Sequence, residues 1–186
     1  MFKFIVNNIY EVSNNQKKIS YNSDKYNHHI IINKDDMIYL FDNNYQFQLS
    51  NKNIFYNHII KGRIAFLFSY NKKIVSELWI SLNPNSNKKF EYWHDKINWQ
   101  EEFTWGYAQT DKQHRNNSLY SANLSIMFDY CLNKGFKRSK FSVRKKNIYG
   151  NYSLAKFSPK LIGQGYNFLL FSRYSIRFKR YFKGKK

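Results

Sequence analysis

One stretch of the sequence, residues 103–147, constrains the fold most, because a strand pattern, a polar turn, a helix pattern and a second strand pattern follow one another there. Residues 103–110 are rich in aromatic and β-branched side chains and predict a strand. The cationic segment 111–118 follows at once and predicts a loop. A strand that ends in such a loop favours an anionic ligand at its end.

A helix is predicted directly after this loop. Apolar residues recur three or four positions apart, at Leu119, Ala122, Ile126 and Tyr130. Gly135 ends the pattern as a left-handed C-cap would, and we expect Ser118 or Asn117 to cap the first amides. Those amides, the helix dipole and the side chains of His114 and Arg115 would face a ligand beyond the strand. The predicted ligand is a phosphate group.

The order of these elements resembles the core of a known family. The resemblance is carried by the loop 115–120, the helix end 134–136, the strand 140–143 and Asn147. These features are similar to the GNAT superfamily of acyl-CoA N-acyltransferases, whose pyrophosphate loop reads Arg/Gln-x-x-Gly-x-Gly/Ala. Arg115, Ser118 and Tyr120 keep that spacing with both glycines replaced. We expect Ser118 and Tyr120 to adopt the required backbone, since the first residues of a helix have φ below zero.

The element order predicts an α/β (α+β) fold with a mixed central sheet flanked by helices. At 186 residues the chain suits one domain with a single core. The resemblance implies a single GNAT-like domain over residues 1–186, with a basic C-terminal tail at 173–186. It also implies that strands 103–110 and 138–143 splay apart, and that the pantetheine arm of acyl-CoA lies between them.

The resemblance further implies acyl-CoA, either acetyl-CoA or a longer chain, as co-substrate. The residues expected to hold it are Gln109, Thr110, His114, Arg115, Asn116, Asn117, Ser118, Leu119, Tyr120, Asn147 and Ser153. Backbone groups near Gln109 and Thr110 would hold the arm. One backbone amide of that strand would stabilise the oxyanion formed when an amine attacks the thioester. The acceptor is expected to be a primary amine on a small molecule, a sugar or a peptide.

Acyl transfer to an amine needs a base for the amine and an acid for the departing thiolate. The resemblance places the acid near Tyr149 and Tyr152, of which Tyr152 is preferred. Glu77 is the candidate base, because it is a carboxylate inside the apolar run 74–82, where loss of water would raise its pKa.

Two alternatives to a catalytic Glu77 stay open. Strand alternation would put Glu77 on one face with Val75 and Trp79, and that face could instead point to solvent. Glu101 and Glu102, just ahead of the strand 103–110, could provide the base in its place. His28 and His29 suggest a metal site, but adjacent strand residues face opposite sides and no metal is expected.

Other patterns complete the predicted element order. Strands are predicted at 2–6, 30–32, 63–70, 74–82, 166–171 and 174–178, helices after Asp35, after a cap at Ser50 and at 148–156, and a polar loop at 7–25. The aromatic segment 90–100 would form either a wall of the acceptor pocket or a lid on the core.

The formal net charge of +19 favours an anionic partner, such as nucleic acid, an acidic membrane surface or a polyphosphate cofactor. The A/T-rich codons of Lys, Asn, Ile, Tyr and Phe could equally account for part of it. The competing interpretation is an RNA-binding module, since segment 61–68 comes near an RRM signature with Arg63 and Ala65 at the aromatic positions. The single cysteine, Cys131, and the absence of a long apolar run lead us to expect a cytoplasmic protein.

Overall fold

The sheet of the protein contains nine strands in the part of the chain that the computed structural model describes, residues 2–13, 18–87, 97–170 and 174–182. The strands are β1 (Phe2–Ser13), β2 (Asn27–Ile31), β3 (Gln46–Phe47), β4 (Ile64–Tyr70), β5 (Lys73–Ser81), β6 (Glu102–Thr110), β7 (Arg138–Arg144), β8 (Lys160–Leu170) and β9 (Tyr174–Tyr181). The helices are α1 (Lys34–Asp42), α2 (Lys52–Ile59), α3 (Pro84–Asn87), α4 (Leu119–Asn133) and α5 (Ile148–Ala155).

The strand order is β2-β4-β5-β6-β7-β1-β8-β9, with the short β3 parallel to the start of β5. All neighbouring pairs along this order are antiparallel except β6 and β7. The predicted mixed sheet flanked by helices is confirmed. The N-terminal strand β1 does not lie at an edge, because it pairs with β7 on one side and β8 on the other.

Helices cover both faces of the sheet, and the alternation along β4 shows why. Ala65 and Leu67 pack on one face with α1 and α2. Ile64 and Phe66 point to the other face and pack with α4 and Leu154 of α5. A strand that is apolar on both sides must be covered on both sides, so β4 lies in the middle layer of a three-layer fold.

Strands β6 and β7 separate along their length, as the resemblance implied. They pair only where Glu102, Phe103 and Thr104 meet residues 138–140. Past Thr104, β6 continues to Thr110 paired with β5, whereas β7 continues to Arg144 paired with β1. Two neighbouring strands that are each held by an outer partner therefore open into a gap on the side of the Thr110 end.

The first half of the chain corrects two expectations. The polar loop expected at 7–25 begins as strand, since β1 runs to Ser13. Polar residues and a register shift between Ile9 and Tyr10 interrupt the apolar alternation of β1. Backbone pairing with a strand on each side keeps β1 extended. Ser50 does not cap α2, because Asn51 is the N-cap and its side chain accepts from the amide of Ile54.

The faces of two elements also differ from those predicted. A register shift between Phe68 and Ser69 leaves Val75 outside the β4–β5 ladder, so Val75 packs toward α4 whereas Trp79 packs toward α2. The predicted apolar stripe of α4 is too narrow. The helix is buried almost all round, and Leu124, Met127, Phe128 and Cys131 reach deepest into the core.

The basic segment from residue 173 contributes the edge strand β9, and residues 183–186 lie outside the described part. Most of the aromatic segment 90–100 also lies outside it. The RRM-like segment is core, since Phe66 and Phe68 are fully buried and cannot stack on bases. Among the described residues, no helix is both long and apolar enough to cross a membrane.

The central position of β1 leads to a stability prediction. Ile9 is fully buried, so Ile9→Ala should lower the free energy of unfolding by about 2–5 kcal/mol, as loss of core side chains does. Lys3→Ala on the same strand should change it by about 0.5 kcal/mol or less, because Lys3 is exposed. Urea denaturation measures both. Equal effects of the two substitutions would contradict a central β1.

Candidate functional site

A cleft of about 670 Å³ opens where β6 ends, between the start of α4 and the exposed face of α5. Its lining comes from three segments: the end of β6 and the loop after it, the first turn of α4, and α5 with its cap. The lining residues are Thr110, Lys112, His114, Arg115, Asn116, Ser118, Leu119, Tyr120, Ser121, Asn147, Tyr149, Gly150, Tyr152, Ser153 and Lys156. None of these described residues carries a carboxylate side chain, so the cleft is cationic.

The loop before α4 turns sharply by using two left-handed residues. Asn116 has φ of 63° and Ser118 has φ of 59°. The expectation that Ser118 has φ below zero is therefore wrong, and so is its expected capping role, because its side chain makes no cap hydrogen bond. Ser118 stands at the first glycine position of the family loop, and the left-handed backbone explains why glycine suits that position.

The start of α4 presents free backbone donors to the cleft. The first hydrogen bond within the helix runs from the amide of Ala122 to the carbonyl of Ser118, so the amides of residues 119–121 have no acceptor inside the helix. Lys112, Arg115 and Lys156 add positive charge around them. Arg115 Nε donates to the carbonyl of Thr110 at 3.3 Å, which ties its guanidinium to the end of β6. This arrangement suits a phosphate.

His114 and Asn117 mainly hold the loop. His114 Nδ1 lies 3.2 Å from the hydroxyl of Tyr26, and its ring also packs against Tyr70. Asn117 Nδ2 donates to the carbonyls of His114 and Arg115, and Asn117 does not line the cleft. His114 reaches the cleft wall but is anchored from behind.

Tyr120 stands where the family has its second glycine or alanine. Its half-buried ring lines the cleft and contacts Trp105 of β6 edge-on, with ring centroids 6.4 Å apart. Burial raises the pKa of the phenol, so its hydroxyl stays protonated at neutral pH. The larger side chain therefore occupies room at the floor of the cleft that a glycine would leave open.

Helix α5 forms the opposite wall. The side chain of Asn147 caps it by accepting from the amide of Gly150 at 3.0 Å. Glycine suits position 150, because an added Cβ would lie 2.5 Å from Asn147 Nδ2 and would displace the capping side chain. Tyr149 and Tyr152 are 85% and 75% exposed on the wall, and Ser153 lies beside them. The two candidate acids therefore have hydroxyls that a bound molecule can reach.

Glu77 lies outside this cleft, on the α2 side of the sheet. Its side chain is only 1% exposed, so the solvent-facing alternative is wrong. Ser50 Oγ and Gln109 Nε2 each donate to Glu77 Oε1 at 2.7 Å. Gln109 Nε2 also lies 2.6 Å from the carbonyl of Leu49, so its side chain points away from the cleft as well.

Burial raises the pKa of Glu77, while the donors Ser50 and Gln109 oppose that shift. The indole N–H of Trp79 acts in the same direction as these donors, although no regular hydrogen bond joins it to the carboxylate. Glu77 Oε2 has no hydrogen-bond partner within the described residues. A carboxylate with a raised pKa and a free lone pair is suited to accept a proton.

Neutral His58 completes the surroundings of Glu77. Its ring packs on Trp79 and faces Tyr107, with centroid distances of 4.5 and 6.0 Å. Burial, together with nearby Arg63 and Lys61, lowers the pKa of His58 to about 4. His58 is therefore uncharged at neutral pH, and its Nδ1 accepts from the Arg63 guanidinium.

Tyr107 forms a bulge in β6. The β5–β6 ladder passes from Ala108 to Gly106 and skips Tyr107, whose φ is 56°. Tyr107 also lies beyond the last pair between β6 and β7, so it has no ladder partner in either neighbouring strand. Bulges re-aim side chains and release backbone groups, and this one lies on the strand that borders the gap.

Glu101 and Glu102 lie at the closed end of the gap. Glu102 is buried and pairs with Lys140 Nζ at 2.6 Å and Arg138 at 3.2 Å, and Glu101 pairs with Lys137 at 2.6 Å. At about 3.3 Å per residue, Glu102 lies roughly 25 Å along β6 from Thr110. These carboxylates are engaged in ion pairs that hold the strands together at the closed end of the gap.

The cleft thus gathers most of the predicted binding residues, together with Tyr149 and Tyr152, but excludes Gln109, Asn117 and Glu77. Sequence reasoning missed Lys112, Ser121, Gly150 and Lys156 as lining residues. Lys156 follows Tyr149, Tyr152 and Ser153 at helical spacing, so the period of α5 would have indicated it. No group of three or more metal-ligating side chains occurs among the residues described.

The left-handed loop gives a testable stability difference. Ser118→Gly should raise the free energy of unfolding by up to about 1 kcal/mol, since a left-handed residue costs about 1–2 kcal/mol and glycine loses part of that gain in the unfolded chain. Ser121→Gly, three residues on in helical backbone, should lower it by about 0.5–1 kcal/mol. Thermal or urea unfolding of the two variants measures the contrast, and effects of the same sign would contradict the loop geometry.

No protein-family model matches the chain, and no curated protein matches it either. Several solved structures are similar to it in fold. An acetyltransferase of the GNAT family from Colwellia psychrerythraea has a TM-score of 0.56 at 11% identity, over 86% of this chain and 53% of that one. A GCN5-related N-acetyltransferase-like protein from Streptococcus suis has a TM-score of 0.54 at 9% identity, over 90% and 61%.

A tandem GNAT protein from the clavulanic acid biosynthesis pathway is similar as well, with a TM-score of 0.56 at 8% identity over 86% of this chain and 51% of that one. The chain thus spans between half and about three fifths of the length of these solved chains. Identities this low carry information about the fold and not about a substrate. The strands β6 and β7 splay apart and the solved structures above are similar in fold, so the chain has a GNAT-like fold.

Proposed function

We propose that the protein is an acyl-CoA-dependent N-acyltransferase that moves an acyl group to a primary amine. The observation that carries this proposal is the gap between β6 and β7, which opens beside a helix start rich in free amides and cations. A long molecule with an extended polar arm and a pyrophosphate fits that combination. Structures of similar fold include an acetyltransferase of the GNAT family, which supports the same reaction class.

In this proposal the pyrophosphate of acyl-CoA binds at the first turn of α4. The amides of residues 119–121 and the side chain of Arg115 would donate to it, and Lys112 and Lys156 would balance its charge. The pantetheine arm would run along the unpaired side of β6 near Thr110, taking the place of a neighbouring strand. Asn147 and Ser153 on α5 would line the other side of the arm.

The chemistry would occur where the bulge interrupts β6. A backbone amide released there would donate to the thioester oxygen as negative charge develops on it. Tyr152, with Tyr149 as the alternative, would give a proton to the departing thiolate from the α5 wall. Glu77 would accept the proton that the acceptor amine loses. The acceptor would approach from the α2 side, since Glu77 lies on that face.

An RNA-binding function is not favoured. The aromatic side chains of the RRM-like segment are buried in the core, and the cationic residues that remain around the cleft surround a helix start instead of an aromatic stacking surface. The basic surface would favour an acceptor amine that also carries a phosphate or carboxylate. Aminosugars, peptide side chains and small diamines are the classes to test.

Arg115→Ala should weaken the binding of acetyl-CoA by about 1.5–3 kcal/mol, because it removes a charge-assisted hydrogen bond to phosphate. Isothermal titration calorimetry measures the affinity. Tyr152→Phe should leave that affinity unchanged and slow turnover, which separates binding from chemistry. Arg180→Ala on β9 is the matched control for loss of one exposed arginine outside the cleft. Wild-type affinity in Arg115→Ala would remove the loop from the site, and absence of CoA binding in the wild type would overturn the function.

Glu77→Gln should remove an acidic limb from the pH profile of kcat/KM and lower turnover by roughly 10²-fold or more, the usual effect of losing a general base. The limb should lie above the ordinary Glu pKa of 4.5, because burial raises the pKa of Glu77. The contribution of protonated Glu77 to the free energy of unfolding is complete below pH 4.5 and is lost as the pH rises through the pKa of Glu77 in the folded state. The reason is that the folded state holds this proton more tightly than the unfolded state.

Two measurements therefore check the role of Glu77. The pH–rate profile tests the base, and urea unfolding at several pH values tests the raised pKa. The free energy of unfolding of the wild type should fall above pH 4.5 as Glu77 loses its proton, and this fall should be absent in Glu77→Gln. An acidic limb that persists in the variant would assign the base to another group, such as His114 or a chain of water molecules.

A further inference from the structure

Three hydroxyl and carboxyl groups on the α2 side of the sheet form a directed chain of contacts. Ser50 Oγ lies 2.7 Å from Glu77 Oε1 and 3.4 Å from the hydroxyl oxygen of Tyr107. A serine hydroxyl has one proton, and an ionised carboxylate can only accept, so Ser50 donates to Glu77. Tyr107 must then be the donor to Ser50. The direction from Tyr107 through Ser50 to Glu77 follows from this count of protons.

We propose that Tyr107, Ser50 and Glu77 form a proton path from the open surface of the bulge to the buried carboxylate, and that Tyr107 receives the proton of the acceptor nitrogen. This inference rests on the proposed acyl transfer. It assigns the contact with substrate to Tyr107, because Glu77 is 1% exposed whereas Tyr107 is 46% exposed. A buried base needs such a relay to reach a molecule that binds outside.

The backbone at Tyr107 supports a specific role for its side chain. A left-handed φ suits glycine, and Gly106 is the adjacent residue, yet the tyrosine adopts the left-handed conformation. That conformation costs a non-glycine residue about 1–2 kcal/mol. The bulge directs the Tyr107 ring toward His58 and its hydroxyl toward Ser50, and Gln109 Nε2 lies 3.2 Å from the same hydroxyl. Strain at a bulge on the strand that borders the gap is typical of functional positions.

The charged and titratable groups around Glu77 leave it as the acceptor at the end of the path. From α2, His58 is neutral at neutral pH and bonds to Arg63, which lies at the start of β4. From β6 and β5 come the amide of Gln109 and the indole of Trp79, neither of which titrates. Across β4, Leu67 separates Glu77 from His29 of β2 in the same row of the sheet. Within the described residues, Glu77 is the only carboxylate of this group.

The proton path joins two stages of the acyl transfer, attack of the amine and loss of the thiolate. The neutral amine attacks the thioester carbon, a C–N bond forms, and the nitrogen becomes cationic and acidic. Its proton passes to the Tyr107 oxygen as Tyr107 passes its own to Ser50 and Ser50 passes its own to Glu77 Oε1. The tetrahedral adduct then expels the CoA thiolate, which takes a proton from Tyr152. After release of the amide and the thiol, Glu77 loses its proton to solvent along the same path and Tyr152 regains one.

Tyr107→Phe is the direct test, because it keeps the ring and the backbone and removes only the hydroxyl. Turnover is measured with acetyl-CoA and an aminosugar, a lysine-containing peptide or an aliphatic diamine as acceptor. We expect kcat/KM to fall roughly 10²-fold, with the acidic limb of Glu77 lost and the affinity for acetyl-CoA unchanged. Ser50→Ala should give the same profile. The double variant should be no slower than either single one, since both break one path.

The matched control is Tyr39→Phe, which removes the hydroxyl of an exposed tyrosine on α1 and should behave as wild type. A second readout does not need turnover: the pKa of Glu77, followed by carbon-13 NMR of labelled glutamate, should rise further in Tyr107→Phe and Ser50→Ala, because each weakens donation to the carboxylate. An active wild type whose profile and Glu77 pKa are unchanged in Tyr107→Phe would overturn the path and leave the acyltransferase function standing. Failure of the wild type to bind acetyl-CoA would overturn the function itself, and an unchanged Glu77 pKa in both variants would overturn the path even if none of the amines reacts.

Discussion

The parallel pairing of β6 with β7 is confined to three residues, and the candidate site depends on that restriction. Beyond Thr104 each strand keeps a partner only on its outer side, β5 for β6 and β1 for β7. At the closed end the buried Glu102 pairs with Arg138 and Lys140 of β7. A gap between two strands leaves backbone donors and acceptors to bond with water or with another polar chain that enters the gap. The fold therefore provides a slot for an extended polar ligand before any side chain is considered.

The N-terminal strand is what keeps this gap open. Because β1 pairs with β7 from Arg138 to Arg144, β7 gains a full ladder on its far side and does not need β6. Strand β1 is in turn held by β8. The first residues of the chain thus stabilise the wall of a cleft whose other components lie more than a hundred positions later, at Thr110 and in the first turn of α4. Distant segments of the sequence must fold together before the site exists.

The sequence predicts the elements that have strong local signals and misses those defined by long-range pairing. The hairpin, the long helix ended by Gly135 and the loop at Arg115 all have such signals, and each occurs near its predicted bounds. The polar half of β1 has none, because only its two neighbours make it a strand. The face of the sheet to which Val75 points depends on a bulge, and the burial of Glu77 depends on the packing of α2. Neither property follows from the alternation of side chains along a strand alone. The αL backbone of Ser118 was missed because serine gives no local sign of it.

Several deviations from local rules lie around the cleft and the buried carboxylate. Asn116, Ser118 and Tyr107 have left-handed backbones, and Glu77 is buried with one oxygen unpartnered within the described residues. Each feature costs about 1–3 kcal/mol, a large share of the stability of a domain of this size. Left-handed non-glycine residues also occur elsewhere, at Asn44, Asn71, Lys72 and Ser158, and of these Asn71 and Lys72 form the turn that joins β4 and β5. At the cleft the left-handed backbone lies beside a helix start that is surrounded by cations, and at the bulge it directs the Tyr107 hydroxyl toward Ser50. Binding and proton transfer are functions that such strained geometry can serve.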